Sequence, residues 1–164
     1  MTVPAETPAD MVIERQVNEA IASGHPLPRW GWPQPPPYNG ATGAERVYVW
    51  QQNRIGQMLG LMPRLGTCSA CERRKAEGSH GEIYFRPFAL HPVCRSCHAR
   101  IHRRYGSPGT WQDFLNDGTP AGSWLRILPM KPISRVDALE IAKRPDVLKA
   151  LAEYSAALQA GKSE

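Results

Sequence analysis

A chain of 164 residues with a formal net charge of +5 is long enough for one ordinary domain, or for a small core that carries extensions. It contains no run of about 18 apolar residues, which argues against a membrane-spanning helix. Its opening, Met1-Thr2-Val3-Pro4-Ala5-Glu6, lacks the basic start and apolar run of a secretory signal, so the expectation is a soluble protein of the cytoplasm.

Residues 8–23 are predicted helical, because Val12, Ile13, Val17, Ala20 and Ile21 recur at helical spacing and Gly24 is a natural stop. Residues 25–40 then hold six prolines, with Trp30, Trp32 and Tyr38 among them. Such a stretch is extended and cannot form a core alone. It is read as a strap packed across the domain, with partner docking through residues 25–38 as the sharper alternative. Residues 44–62 form a second predicted helix, with Val47, Trp50, Ile55, Met58, Leu59 and Met62 on its apolar side and Pro63 as its end. Arg46 and Arg54 on this helix could reach a phosphate, although two arginines on a helix are usually just solvated.

All four cysteines lie in Cys68-Ser69-Ala70-Cys71 and Cys94-Arg95-Ser96-Cys97. Two residues between the members of a pair let both sulfurs turn toward one point, and two such pairs make a closed tetrahedral zinc site. In a reducing compartment this spacing reads as metal rather than disulfide. The first task of Cys68, Cys71, Cys94 and Cys97 is therefore structural: they staple a region too small to hold itself by apolar burial. Between the pairs, Ile83-Tyr84-Phe85 and Phe88-Ala89-Leu90 are expected to be two strands of a hairpin, or a strand and a loop. A helix is expected from Arg95 to about Tyr105, stopped by Gly106-Ser107-Pro108-Gly109. His98 and His102 lie four residues apart on one face of it. With four thiolates present, zinc does not need them. They are helix-surface histidines, phosphate donors in a basic face, or ligands of a second, catalytic metal.

Residues 110–132 are expected to be loop-rich, with Trp111, Phe114, Leu115, Trp124, Leu125, Ile127 and Leu128 packing back onto the core. From Ser134 the tail is helical. Ser134 and Asp137 fit a capping pattern, Pro145 breaks the helix, and a second piece carries Leu148, Leu151, Ala152, Tyr154 and Leu158. The tail, residues 134–160, is a second place for a protein partner. The chain thus divides into an N-terminal helix and strap (1–43), a zinc-binding core (44–110) and a loop-rich and helical tail (111–164).

The positive charge is concentrated. Residues 68–105 hold eight Lys/Arg against three Glu, and the rest of the chain balances. A basic patch of this kind suggests phosphate partners, and a solvated basic face is the plain alternative.

The order Cys-x-x-Cys, then Glu77-Gly78-Ser79-His80, then Arg86-Pro87, then Val93-Cys94-Arg95-Ser96-Cys97-His98 and His102, resembles the small HNH endonucleases of phages and mobile elements over roughly residues 44–105. The resemblance implies an α+β fold: a small zinc-stapled ββα-metal core with helical and Pro-rich extensions, in the cytoplasm of a host cell if phage-encoded. It implies a DNA endonuclease that uses Mg²⁺ or Mn²⁺. A strand histidine takes a proton from water, and the cation neutralises the charge that develops on the phosphate. On this alignment His80 is the general base, His98 the second catalytic histidine, and His98 with His102 the ligands of a second metal. Arg73, Arg74, Lys75, Arg100, Arg103 and Arg104 are the expected nucleic-acid contacts, giving salt-dependent affinity and little sequence choice. The family's two adjacent polar residues on the first strand fall on Ser79-His80 when aligned through Glu77-Gly78, which keeps the base. They fall on His80-Gly81 when aligned through Arg86-Pro87, which keeps a ligand and loses the base. The family's middle Asn or Asp falls on Ala89. These departures leave a second reading beside the nuclease: a catalytically inactive HNH-like binding, inhibitor or adaptor protein that acts on DNA or a DNA-handling complex.

Overall fold

A computed structural model describes residues 7–117 and 123–161 of the chain. The opening hexapeptide and residues 118–122 of the 110–132 stretch lie outside the described residues. The fold is α+β, with seven helices and one two-stranded antiparallel sheet among the described residues. No helix there is long and apolar enough to cross a membrane.

Helix α1 (Ala9–Ala22) ends at Gly24, whose φ of +99° is the left-handed conformation that glycine adopts without strain. Helix α2 (Gly43–Met58) opens with a capping box, in which the Thr42 side chain accepts from the Glu45 amide while the Glu45 carboxylate accepts from the Thr42 amide. The two helices pack through Val17 and Ile55, both fully buried, with Phe88 between them and the rest of the molecule. The strap between them folds against α2: the rings of Trp30 and Trp50 meet edge to face at 5.1 Å, and Gln51 donates to the Pro28 carbonyl. The strap ends in a tight turn closed by a Tyr38–Ala41 bridge. Gly40 in that turn has φ +78°, and a Cβ there would lie 2.4 Å from the Arg135 Cα, so only glycine lets the strap approach the C-terminal region this closely.

Strand β1 (Gly78–His80) pairs antiparallel with β2 (His91–Val93), placing Gly78 opposite Val93, Ser79 opposite Pro92 and His80 opposite His91. Helix α3 (Arg95–Arg103) follows β2 directly and packs back onto β1. The expected hairpin is therefore displaced. The runs 83–85 and 88–90 are not its strands but part of the loop between them. Their side chains go to separate cores instead of to one sheet face: Ile83 joins the cluster under the tail, and Phe88 joins Val17 and Ile55.

The stretch expected to be loop-rich contains helix α4 (Pro108–Asn116) and the short α5 (Ser123–Arg126). Pro108, read as part of a stop, occupies the first turn of α4, where its missing N–H costs nothing. Trp111, Phe114, Leu115, Trp124, Leu125 and Leu128 pack onto Cys68, Cys94, Cys97 and Ile101, as expected of them. The tail forms α6 (Arg135–Ala142), capped by Ser134, and α7 (Val147–Ala160), capped by Asp146, with the break at Pro145. Arg86 of the central loop ties this tail down by bonding Asp10 of α1 and the Arg144 carbonyl.

Candidate metal centres

The four cysteines converge. Cys68, Cys71, Cys94 and Cys97 are buried, unpaired by disulfides, and their sulfurs lie within 4.8 Å of one another. Local backbone geometry explains the first pair. Thr67 and Lys75 form a bridge, the Cys68 amide donates to the Arg74 carbonyl, and Glu72 takes a positive φ of 54° so that the chain reverses within the knuckle. The second pair spans the start of α3, with Cys94 at its N-cap position. The two arms are joined where Ser69 donates from its amide and hydroxyl to the Pro92 carbonyl, both at 2.8 Å.

The donor chemistry fits a cation. Burial raises the Cys71 thiol, but the amides of Arg73 and Arg74 aimed at its sulfur outweigh that and bring it down to about 7. Cys97 is pushed the other way, by burial and by the neighbouring thiols. Four sulfurs this close cannot all ionise without a positive charge among them, and a buried tetrahedral set of thiolates is the ligand field of structural zinc.

A second group stands one helix face away. His80 at the end of β1 and His98 and His102 on α3 each offer a ring nitrogen within 4.8 Å of the others. The helix repeat brings His98 and His102 together, their Nε2 atoms 3.0 Å apart, and the packing of α3 on β1 brings them to His80. Burial and the neighbouring His80 hold His98 down to about 4 and His102 down to about 3, so both rings are neutral at pH 7, and one Nε2 accepts the N–H of the other.

His80 is itself oriented from behind. Its Nε2 lies 2.7 Å from a carboxylate oxygen of Glu82, and both residues are buried. Glu82 also accepts from Asn39 Nδ2 at 2.8 Å, from the Tyr38 hydroxyl at 3.1 Å and from the Arg104 guanidinium. Burial alone would raise the Glu82 carboxyl, but the His80 hydrogen bond and the Arg104 charge prevail and hold it at about 2. Arg104 is in turn satisfied by the Pro129 carbonyl and by the hydroxyls of Tyr38 and Tyr105. One nitrogen of His80 is thus fixed by a carboxylate, as outer partners fix metal-binding imidazoles.

Comparison of the chain with protein-family models, with curated proteins and with solved structures gives no match.

The basic residues separate into different places. Arg73, Arg74 and Arg100 line one cleft of about 180 Å³ beside the cysteine knuckle, not beside the histidines. Lys75 and Arg103 are exposed. Arg104 is not a surface residue: it is fully buried and engaged by Glu82, so the expected phosphate contact from it is withdrawn. The arginine whose charge acts on His98 and His102 is Arg46 of α2, whose guanidinium lies 5.1 Å from the Tyr84 ring centre and 5.5 Å from that of Tyr38. Sequence reasoning missed the network behind His80: it read Tyr38 only as part of the strap, Glu82 only as a charge, and did not single out Asn39. The available signal was His80-Gly81-Glu82: residues two apart on an extended segment face the same side, so a histidine and a carboxylate at that spacing can meet.

Proposed function

We propose that this protein is a zinc-stapled, metal-dependent phosphodiesterase that acts on DNA, built on an HNH-like ββα core. The observation that carries this is the trio His80, His98 and His102 within 4.8 Å, backed by the buried Glu82. The chain order supports it: strand, loop, strand and helix follow in sequence, with histidines on the first strand and on the helix. In this reading His80 is a ligand rather than the general base, because its Nε2 is taken by Glu82 and its ring centre lies 5.4 and 5.2 Å from those of His98 and His102. Gly81 follows it and offers no proton acceptor. Three imidazoles suit zinc, nickel or iron(II) better than magnesium, which prefers oxygen donors. A divalent ion held there supplies a Lewis acid for a phosphoryl oxygen and an acidified water. Around it His80, His98 and His102 fix the ion, Glu82 keeps His80 in one tautomer, and Arg46 stands by for a phosphate oxygen.

The test is nicking of supercoiled plasmid with Zn²⁺, Ni²⁺, Mn²⁺ or Mg²⁺ added singly. Relaxed circles are expected with at least one of these ions and are expected to vanish in His98→Ala and His102→Ala. Cleavage that survives in both variants would sink the proposal. The second reading, binding without cleavage, is favoured by Gly81 at the position of the family's base. It predicts DNA retention that falls steeply with salt and no cut product with any ion.

A further inference from the structure

A cavity of about 290 Å³ opens against the outer side of the histidine centre, with His98, Ser79 and Gly81 on one wall and Trp30, Trp50 and Tyr84 among the others. Its walls do not suit a purely apolar ligand. Arg46 and Asn53 bring polar side chains to a lining that is otherwise rich in aromatic rings. A planar ligand suits that mixture: the indole and phenol rings would cover its face, and the two polar side chains would stand at its edge.

The volume is at the small end of ligand cavities, enough for one ring system with its attached sugar and too small for a helix or strand of another protein. Trp30 comes from the strap and Trp50 from α2, and Trp32, 64% exposed, meets Trp30 edge to face at 5.0 Å. We propose that this cavity is a nucleobase subsite, which takes one unpaired base of a single-stranded nucleic acid whose phosphate lies at the histidine centre. The assignment rests on the phosphodiesterase reading of the same site and names its substrate class. A base inside a duplex is stacked and paired on the faces and edges that this cavity needs, so a duplex would have to surrender the base first. Aromatic platforms beside a cationic group are how proteins hold single strands.

The test uses the full chain with no divalent ion added, so that no strand is cut. Tryptophan emission is followed against a single-stranded oligothymidylate of about 12 nucleotides, the matching duplex and thymidine monophosphate. The single strand is expected to quench the emission and to bind at least tenfold tighter than the duplex. Trp30→Leu and Asn53→Leu, each checked for an unchanged melting temperature and zinc content, are expected to weaken single-strand binding about tenfold and to leave duplex binding alone. One abasic position placed to face the cavity is expected to weaken binding to wild type but not to Trp30→Leu. Equal or tighter binding of the duplex overturns the subsite, as does wild-type affinity in both folded variants. A mononucleotide that binds as tightly as the strand overturns the assignment to a strand. Loss of plasmid nicking with these binding results intact removes the phosphodiesterase and keeps the base pocket. Nicking with a preference for duplex does the reverse.

Discussion

The two candidate metal centres use one helix, α3, in opposite ways. Its N-terminal turn contributes Cys94 and Cys97 to a set of four buried cysteines supplied by short local turns. The face that follows contributes His98 and His102 to a set completed from a different element, with His80 1% exposed and the other two half-buried. Four thiolates close their coordination sphere. Three imidazoles leave a tetrahedral ion one open position, which is what a reacting ligand needs. The contrast suits a division of labour in the proposed reading: a closed set to hold the region folded and an open set to meet a ligand.

Substitutions should separate the two. The largest effect is expected at the cysteines. Cys94→Ser or Cys97→Ser removes a ligand from a set whose metal supplies folding energy of order ~10 kcal/mol in small zinc domains, so cooperative thermal unfolding followed by circular dichroism should disappear. A variant that melts within a few degrees of wild type would remove the structural role. Next is Glu82→Ala, which leaves Arg104 buried without its counter-charge. Breaking such a pair costs about 3–5 kcal/mol, readable as a lower urea midpoint. A loss below about 1 kcal/mol would show that the network does not hold the site. His98→Ala comes third. It should change stability by only about 1 kcal/mol, since the ring is half-buried and its carboxylate-backed partner is His80. Zinc titration by calorimetry should nevertheless lose the ion assigned to the histidines and retain the one assigned to the cysteines. Retention of both would exclude His98 as a ligand.

The smallest effect belongs to a charge outside both sets of candidate ligands. Glu45 caps α2 and pairs with Arg135, and the Arg135 hydrogen bond and the Thr42 amide hold its carboxyl at about 2 against an ordinary 4.5. A value lowered by folding means stability that is fully present above the ordinary pKa and is lost as pH falls toward the folded one. Glu45→Gln should therefore lower the melting temperature slightly at pH 7 and much less at pH 2. An equal loss at both pH values would assign the effect to packing.

How much of this was legible in the sequence follows the same division. The cysteine set is local, so its spacing was sufficient. Helices α1, α2, α3, α6 and α7 were legible through periodicity, caps and the Pro145 break. The hairpin was not, because the apolar runs 83–85 and 88–90 mimic strands while their residues fill two different cores. The strands themselves are three residues each, too short to show an alternating pattern. The partnership of His80 with His98 and His102 depends on how α3 packs against β1, which no spacing along the chain encodes. Arg104 looked like its neighbours Arg100 and Arg103, and only the tertiary fold turns it inward to Glu82.

The turn at Tyr38-Asn39 adds a matter of timing. Asn39 bonds Glu82, Tyr105 and the Ile133 amide, the last across 94 positions of sequence. The knuckle can close as soon as residues 68–97 exist, but the carboxylate behind His80 is locked only when chain from both ends has arrived. Contacts so distant in sequence form late, after their loop-closure entropy has been met by others. The stapled region is therefore expected to assemble first, and the open centre to become rigid as one of the last events of folding.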